Sequence, residues 1–500
     1  MKSKTFIFII IINFVFLTGC AQKRTDYKTL YLRLPEQPST LDPALTVDVY
    51  SGGILSKIYS TLVKFDENLA ILPDAAEKWA VSRDGRNYVF YIDENLRFSD
   101  GTSVTSRDVK KSFQRILSPG SLSSRKWMFE NVRGAVAFMD GREKDVSGFK
   151  IIGEKTLGIE LIKPFAPFLG LLAMPNAAIV KEGVNSLLGS GAFKLEKWKR
   201  GEKILLSKNR EYLKGNSFLE NICYRIIPQD FTALSEFKQG NLDILGLSNS
   251  MVDSFKAVEY EKNVYSKIGL NIYYIGFNCQ REPFNNIAVR RALVSTIDKE
   301  RIVNTILASR AEPAFSPVPP VLLDVEHYEV DKDVVFPKER VLKLLINTSD
   351  EMQAIAEVCQ HFWKEKDVKV DIIQREWNGF KEALNNGEFD MFILSWWADY
   401  PDAENFLYPV FYSGNWGSKG NRARYSNKNF DKIILEARSE LDLNKRENLY
   451  RQAVKIVVRD CPWAFLWHKK DYSVIQPWVV NFKIYPLYYS DKGVDVKLEY

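Results

Sequence analysis

Apolar runs of strand length alternate with amphipathic segments in the C-terminal half of the chain. Residues 342–346 and 391–397 are mostly apolar runs of strand length, and residues 368–372 alternate between apolar and polar side chains. Between these runs, residues 350–362 and 377–385 carry apolar side chains at helical spacing. The order strand, helix, strand, helix, strand predicts an α/β domain with a largely parallel sheet that is buried on both faces.

Further strands and a long helix are predicted in the preceding part of the chain. Residues 88–92, 203–207 and 270–277 are short apolar runs, which favours strands. Residues 289–307 carry apolar side chains on one side at helical spacing, so a helix is expected there. Several prolines within residues 313–320 then predict an irregular crossing.

The first twenty residues have the pattern of an export signal. A short positive start precedes an apolar stretch at residues 6–17, which is shorter than the roughly 20 apolar residues of a spanning helix. The sequence Leu17-Thr-Gly-Cys20 resembles the bacterial lipobox, in which the cysteine is acylated. We therefore predict a signal peptide at 1–19 and a lipidated tether at 20–27 that anchors the protein to a membrane. An ordinary signal peptide, with Cys20 incidental, is the alternative.

Length and charge narrow the class of protein. About 480 residues follow the predicted signal peptide, which is too many for one hydrophobic core, so two or three domains are expected. The formal net charge of +6 falls to +4 without Lys2 and Lys4, and acidic residues are interspersed with basic ones. Nucleic-acid binding usually needs a concentrated basic face, so no nucleic-acid partner is expected.

The cysteines and histidines do not indicate catalysis or metal binding. The cysteines after Cys20 are widely separated and form no Cys-x-x-Cys pair, so neither a metal nor another cofactor is expected. One or two disulfides remain an alternative to buried thiols in an exported protein. The chain has three histidines and no zinc-protease, P-loop or dinucleotide motif, and Gly189-Ser190-Gly191 lacks the third small residue of a nucleophile elbow. We expect that the protein is not an enzyme.

Asp399 is the residue that physical chemistry singles out as a candidate binding group. It follows the predicted strand at 391–397, and ligands of open α/β sheets bind beyond the carboxyl ends of strands. Flanking aromatic residues shield its carboxylate from water, so the carboxylate needs a cationic or hydrogen-bonding partner. The alternatives to ligand contact are that Asp399 caps the turn at Pro401 or pairs with a nearby arginine.

Short motifs occur in a fixed order along nearly the whole mature chain. They are Ser39-Thr-Leu-Asp-Pro43, Leu72-Pro-Asp-Ala-Ala-Glu-Lys-Trp79, Ser82-Arg-Asp-Gly85, Phe98-Ser-Asp-Gly-Thr-Ser-Val-Thr105, Gly189-Ser-Gly-Ala-Phe-Lys194, Pro283-Phe-Asn-Asn286 with Val289-Arg-Arg-Ala-Leu293, and Trp396 to Tyr400 with Asn405-Phe-Leu407. Together they resemble the peptide and nickel family of ABC-transporter solute-binding proteins, and most closely its oligopeptide-binding members. Thr105 is expected to cap a helix through its hydroxyl group.

The resemblance implies a fold and a domain organisation. The expected fold is the bilobed periplasmic-binding-protein fold of class II type with an extra domain, so that three α/β domains form two lobes. The implied bounds are 28–60, 187–275 and 471–500 for a discontinuous domain I, 61–186 for domain II, and 276–470 for domain III. Two crossings, near 270–276 and 470–476, would act as the hinge between the lobes.

The resemblance also implies a set of ligand-binding residues. Asp399 corresponds to the aspartate that holds the α-ammonium group of a bound peptide. The backbone of Ser395 and Trp397, together with residues 34–37 of the other lobe, is expected to pair with the peptide main chain. The complete predicted set is Asp399, Trp397, Ser395, Trp396, Trp377, Tyr274, Glu36 and Gln37. For Trp377 and Tyr274, which match walls of the ligand chamber, ordinary core positions are the alternative.

Some positions depart from the oligopeptide-binding pattern. Leu307, Met352 and Ile393 stand where basic or imidazole side chains meet the peptide carboxylate in the best-known members. Asn271 and Trp397 stand where some relatives have a pair of cysteines. These differences leave the length and the chemistry of the ligand open.

The function implied is that of an extracytoplasmic solute-binding lipoprotein of an ABC importer. It would act as a monomer, enclose short peptides between its lobes, and deliver them to separate permease and ATPase subunits. One alternative keeps the family and changes the ligand to a metal chelate, an opine or a sugar. The others are a surface lipoprotein for adhesion or signalling, which predicts an exposed apolar patch or extra modules, and a hydrolase, which predicts turnover of bound peptide.

Overall fold

The structure, a computed structural model, describes residues 28–183, 187–212, 217–255, 261–326 and 334–500. The predicted signal peptide, Cys20 and the tether lie outside the described residues. Within the described ranges, no helix is both long enough and apolar enough to span a membrane.

Strands and helices follow one another along the described chain. The strands are β1 Thr29–Leu34, β2 Val63–Phe65, β3 Ile71–Pro73, β4 Ala76–Val81, β5 Asn87–Ile92, β6 Phe149–Gly153, β7 Thr156–Glu160, β8 Lys181–Glu182, β9 Leu187–Leu188, β10 Phe193–Lys199, β11 Lys203–Lys208, β12 Asn221–Ile226, β13 Ile244–Leu247, β14 Val264–Ile268, β15 Asn271–Phe277, β16 Ala311–Pro313, β17 Val341–Asn347, β18 Lys369–Arg375, β19 Met391–Trp397, β20 Trp463–Ile475, β21 Val479–Val480 and β22 Lys497–Leu498. The helices are α1 Val49–Ile58, α2 Ser106–Leu117, α3 Ala135–Met139, α4 Phe168–Leu171, α5 Asp230–Lys238, α6 Asn249–Val252, α7 Ile287–Ser295, α8 Lys299–Thr305, α9 Asp350–Lys364, α10 Trp377–Asn386, α11 Tyr408–Phe411, α12 Lys428–Ser439 and α13 Leu443–Asp460.

One large mixed sheet runs through the molecule in the order β10-β11-β12-β1-β13-β20-β15-β19-β17-β18. The long strand β20 joins its two parts, because residues 472–475 pair with β13 while residues 463–467 pair with β15. We call the strands from β10 to β13 the proximal half, and the strands from β15 to β18, with their helices and loops, the distal half. The two halves have separate hydrophobic cores, and a third core joins the distal half to residues 62–179.

The distal half confirms the predicted alternation of strands and helices. Strands β17, β18 and β19 are parallel, and α9 and α10 provide the connections between them. The prediction of a largely parallel sheet is wrong for the strands next to the proximal half, since β15 is antiparallel to both β19 and β20. The chain enters the distal half along β15 and leaves it along β20, so these neighbouring strands run in opposite directions.

A separate four-stranded antiparallel sheet, in the order β4-β5-β7-β6, lies between β2 and β8 in the chain. We call this part of the chain the small-sheet unit. Its helix α2 begins after Thr105, as predicted, but the hydroxyl of Thr105 donates to a carboxylate oxygen of Asp108 at 2.6 Å. The same oxygen accepts the N–H of Thr105 at 2.8 Å, so Asp108 contributes to the cap by bonding back to Thr105.

The predicted strands at 88–92, 203–207 and 270–277 are confirmed as β5, β11 and β15. The single helix predicted for residues 289–307 is instead two helices, α7 and α8. The break follows from Asp298, whose side chain accepts the N–H of Arg301 at 2.8 Å and starts the second helix. Aspartate is a preferred residue at this position, so a local signal for the break was present.

The glycines of the Gly189-Ser190-Gly191 motif have a packing role against the C-terminal end of α1. The N–H of Gly191 donates to the carbonyl oxygen of Ile58 at 2.9 Å. A Cβ atom on Gly189 or Gly191 would overlap the backbone at Lys57 and Ile58. The motif therefore lets two segments of backbone approach closely, which only glycine permits here.

We expect Gly191→Ala to lower the free energy of unfolding by about 1–3 kcal/mol, because the added methyl group overpacks this contact. Urea denaturation followed by circular dichroism measures the effect. Gly120→Ala is the matched control, since a Cβ there meets no atom within 4 Å. Equal losses in both variants would contradict the close-packing role.

The motif around Asp74 forms a buried ion pair with the C-terminal segment. Lys492 Nζ lies 2.9 Å from Asp74 Oδ2, and the two side chains are 6% and 1% exposed. The same carboxylate oxygen accepts the N–H of Thr61 at 2.9 Å, and Lys492 Nζ also donates to the carbonyl of Tyr59 at 3.3 Å. This pair ties the last residues of the chain to the start of the small-sheet unit.

The structure favours thiols over disulfides for the cysteines after Cys20. Cys223, Cys279, Cys359 and Cys461 are all buried and lie in the structure as thiols. Burial raises the pKa of the Cys279 and Cys461 thiols to about 11. Among the described residues, no cluster of three or more potential metal ligands occurs.

Candidate functional site

Asp399 lies just beyond the carboxyl end of β19, where its backbone is held from two sides. Its N–H donates to Asn405 Oδ1 at 3.0 Å, and Asn405 in turn accepts the indole N–H of Trp396 at its carbonyl oxygen at 2.9 Å. The hydroxyl of Tyr489 donates to the carbonyl oxygen of Asp399 at 2.8 Å. The main chain at Asp399 is therefore fixed, and the side-chain carboxylate remains available for a partner.

That partner in the structure is Arg125, 274 residues away in sequence. Arg125 Nη1 lies 3.0 Å from Asp399 Oδ1, with the side chains 17% and 27% exposed. Arg125 comes from the small-sheet unit, whereas Asp399 belongs to the distal half. Asp399 therefore forms the ion pair with an arginine that was one alternative to ligand contact. The arginine is not a sequence neighbour but belongs to the small-sheet unit.

Other contacts between the small-sheet unit and the distal half surround this ion pair. The rings of Trp127 and Tyr400 lie 6.5 Å apart. The N–H of Ala166 donates to the carbonyl oxygen of Arg438 at 2.9 Å, and the Arg438 guanidinium lies 5.0 Å from the ring centroid of Phe165. These contacts close the molecule on the side of Arg125 and partly shield the ion pair from water.

Helix α1 and the C-terminal segment form a further side of the site. Gly52 of α1 leaves space for the ring of Tyr488, since a side chain at Gly52 would overlap it. The adjacent Tyr489 is 3% exposed. Its burial, followed by the nearby Tyr488 hydroxyl and the Asp399 carboxylate, raises the pKa of Tyr489 well above its ordinary value. Tyr489 therefore stays protonated and serves as a hydrogen-bond donor to Asp399.

The end of β19 presents an open edge beside Asp399. On one side, β19 pairs with β15 along its whole length, from Asn271 opposite Trp397 to Phe277 opposite Met391. On the other side, β17 pairs with β19 only at Met391 and Phe392. Within the described residues, the remainder of β19, including Ser395, has no strand on that side. An extended ligand that reached Asp399 could therefore add to this edge.

The three predicted residues on β19 divide between its two faces. Ser395 and Trp397 lie on one face, and Trp396 lies on the opposite face. Trp397 is 44% exposed, whereas Trp396 is partly buried against the hydrophobic core. The indole of Trp396 positions Asn405, so its role here is to support the loop that carries Asp399.

Tyr274 and Trp377 occupy very different environments. Tyr274 is completely buried, and its ring stacks on Trp463 with the centroids 3.4 Å apart. This packing fits the alternative of an ordinary core position for Tyr274, and its place in the wall of a ligand chamber stays a prediction. Trp377 is 47% exposed at the start of α10 and stacks on Phe380 at 5.8 Å, so it remains accessible.

Glu36 and Gln37 lie after β1 in the proximal half. The side-chain carbonyl of Gln37 accepts the N–H of Gly201, which ties it to the turn between β10 and β11. Glu36 is exposed and lies near Tyr50 of α1, where burial and then the charge of Glu36 raise the pKa of the tyrosine. Among the described residues, no contact joins either side chain to Asp399.

The three apolar positions that depart from the oligopeptide-binding pattern lie together in the distal core. Leu307, Met352 and Ile393 are 3%, 9% and 2% exposed and belong to one hydrophobic cluster. Their burial fits their apolar character, since an unpaired charge is costly in such a place. Asn271 and Trp397 stand directly opposite each other on β15 and β19.

Arg125 and Tyr489 are the functional candidates that sequence reasoning missed. Both approach Asp399 from distant parts of the chain, and neither lies in a motif that marks a binding site. Arg125 follows a serine-rich stretch at residues 118–124, which looks like an ordinary loop. Only the folded arrangement brings these side chains together.

Comparison with known proteins gives a consistent match over most of the chain. The family model of the bacterial extracellular solute-binding proteins, family 5 (middle region), matches residues 70–418. The periplasmic murein peptide-binding protein MppA of Escherichia coli (strain K12) is 28% identical, with 92% of this chain and 91% of that protein covered. The oligopeptide-binding protein OppA of Bacillus subtilis (strain 168) is 27% identical, with 89% and 88% covered.

The fold is also shared with solved structures. The unliganded open form of MppA, described as a periplasmic murein tripeptide binding protein, superposes with a TM-score of 0.80 at 26% identity. The match covers 95% of this chain and 98% of that chain. The bilobed α/β fold predicted from the sequence is thereby confirmed.

Proposed function

Since the chain belongs to family 5 of the bacterial extracellular solute-binding proteins, we propose that it captures short peptides outside the cytoplasm for an ABC importer. Proteins of this family are transport components that bind solutes and are not enzymes. The peptide as ligand and the delivery to a permease are the proposed parts. Relatives named for murein peptides and oligopeptides support the choice of ligand.

The observation that carries this proposal is the Asp399 carboxylate beyond β19. It lies where the small-sheet unit meets the distal half, partly shielded, with the Arg125 guanidinium 3.0 Å away. A carboxylate in such surroundings prefers a compact cation that donates hydrogen bonds, and the α-ammonium group of a peptide is one. Asp399 is the proposed anchor for the amino end of the ligand.

The open edge of β19 supplies the second part of the proposal. Backbone groups of Ser395 and Trp397 are proposed to pair with the peptide main chain. Such pairing binds a peptide without contacting its side chains. Trp377 is a further candidate wall residue. Glu36 and Gln37 are proposed to contribute from the proximal half when the lobes approach each other on the ligand.

The proposed hinge consists of the two continuous connections between the halves. One is the passage from β14 to β15, and the other is the middle of β20. They lie beside the crossings expected near 270–276 and 470–476, and the domain bounds given above remain proposals. Acylation of Cys20 is the proposed attachment to a membrane, which would hold the monomeric binding protein near its importer.

The ligand itself is the most direct test of peptide binding. We expect native mass spectrometry of the protein purified from its own cells to show a bound adduct of peptide mass. Fragmentation after denaturing release should yield an amino-acid sequence with a free amino end. Release of a chelate, an opine or a sugar instead would overturn the peptide assignment while leaving the family unchanged.

A further inference from the structure

The carboxylate proposed to bind the ligand already has a counter-charge. Arg125 Nη1 lies 3.0 Å from Asp399 Oδ1, and among the described residues it is the donor that the structure gives this carboxylate. The pair is electrically neutral before any ligand arrives. A peptide ammonium that joins Asp399 therefore adds a positive charge beside a guanidinium, and like charges at a partly dehydrated site repel each other.

Arg125 has hydrogen-bonding capacity that the protein does not use. Its Nε is buried and has no hydrogen-bond partner among the residues that the structure describes. A guanidinium offers five N–H donors in one plane, and a buried donor without an acceptor costs free energy. The arrangement therefore favours a ligand that brings an acceptor, and an anionic acceptor most strongly.

The backbone of Arg125 is positioned by its own turn. Its N–H donates to Ser123 Oγ at 3.2 Å, and its carbonyl accepts the N–H of Met128 at 3.1 Å. Arg125 also stands on the small-sheet unit, across the junction from Asp399. A ligand that contacted both side chains would bridge the two parts of the molecule.

We propose that Arg125 is a specificity-determining residue that receives a ligand carboxylate close to the ligand's ammonium group. The ligand then replaces one ion pair by two, Asp399 with the ammonium and Arg125 with the carboxylate, and the total charge stays balanced. The preferred class is peptides whose amino-terminal residue is itself acidic. This inference rests on the proposed role of Asp399.

The test compares Asp-Ala-Ala with Asn-Ala-Ala, which have nearly the same shape and differ in one charge. Isothermal titration calorimetry on the wild-type protein should show about tenfold tighter binding of Asp-Ala-Ala. In Arg125→Gln the preference should vanish or reverse, because the ligand carboxylate then faces Asp399 without a cation. Arg125→Lys should retain part of the preference.

Arg133→Gln is the matched control, since Arg133 lies on the same unit, is half exposed and pairs with Glu160. It should leave the preference unchanged. Equal affinities of the two peptides for the wild type, or an unaltered preference in Arg125→Gln, would overturn the role of Arg125. Asp399→Asn separates a failure of the Arg125 role from a failure of the proposed ammonium site. If this variant binds both peptides with full affinity, Asp399 does not hold the ammonium group, and the proposed site is refuted independently of Arg125.

Discussion

Replacing Asp399 by asparagine should weaken the binding of peptides with a free amino end by roughly 10²–10³-fold. The substitution keeps the shape of the side chain and removes its charge, so a partly buried ammonium loses its counter-ion. Breaking a buried pair on one side typically costs about 3–5 kcal/mol, and the fold-change follows from that loss. Isothermal titration calorimetry with the peptide recovered from the native protein measures it.

Comparing the free-amine peptide with its N-acetylated form shows whether Asp399 binds the ammonium group. The N-acetylated form of the same peptide lacks the charge, so Asp399→Asn should change its affinity little. Asp371→Asn is the matched protein control, because Asp371 is an exposed residue of β18 in the same half of the molecule. Unchanged affinity of the free-amine peptide in Asp399→Asn would refute the assignment.

Replacing Lys492 by methionine should lower the free energy of unfolding by about 3–5 kcal/mol. The substitution leaves the Asp74 carboxylate, which is 1% exposed, without its cation at 2.9 Å. Removing both charges in Asp74→Asn with Lys492→Met should recover part of the loss, since no unpaired charge is then buried. Urea denaturation measures all three proteins.

Lys338→Met serves as the control, because Lys338 pairs with Asp367 on the surface, where both side chains are more than half exposed. Such pairs contribute little, so no measurable change is expected. A similar loss of stability in both lysine variants would show that burial of the Lys492 pair has no special importance.

The same ion pair predicts a dependence on pH. Burial by itself raises the pKa of Asp74, but the ammonium groups of Lys492 and Lys64 outweigh it, so this pKa lies below its ordinary value. The stabilising contribution is therefore complete above the unfolded pKa of about 4 and is lost as the pH falls through the lower folded value. The difference in stability between the wild type and Lys492→Met should accordingly shrink in acid.

Short-range sequence patterns predicted the structure correctly where a residue's neighbours in sequence are also its neighbours in space. The β17-α9-β18-α10-β19 order follows from periodicities of two and 3.6 residues, which any short window displays. The position of Asp399 follows in turn, because the end of a buried parallel strand marks where a ligand can approach. Even the break between α7 and α8 had a local cause in Asp298.

Such patterns could not predict how deeply individual aromatic side chains are buried. Tyr274 and Trp377 both looked like chamber walls, yet one is stacked inside the core and the other is 47% exposed. Apolar character predicts that a side chain avoids water, but it does not say which neighbour covers it. That depends on how β15 and β20 lie side by side, which is a property of the assembled sheet.

The sequence alone determined the solute-binding family, the two-lobed α/β architecture and the candidate carboxylate at Asp399. These features rest on motifs and on short-range periodicity. The tertiary structure decided the electrostatic partner of that carboxylate, Arg125, and the role of Asp74 as the partner of Lys492. Both ion pairs join residues far apart in the chain. Coulomb attraction depends on separation in space, which the fold sets, and leaves no periodic signature along the sequence.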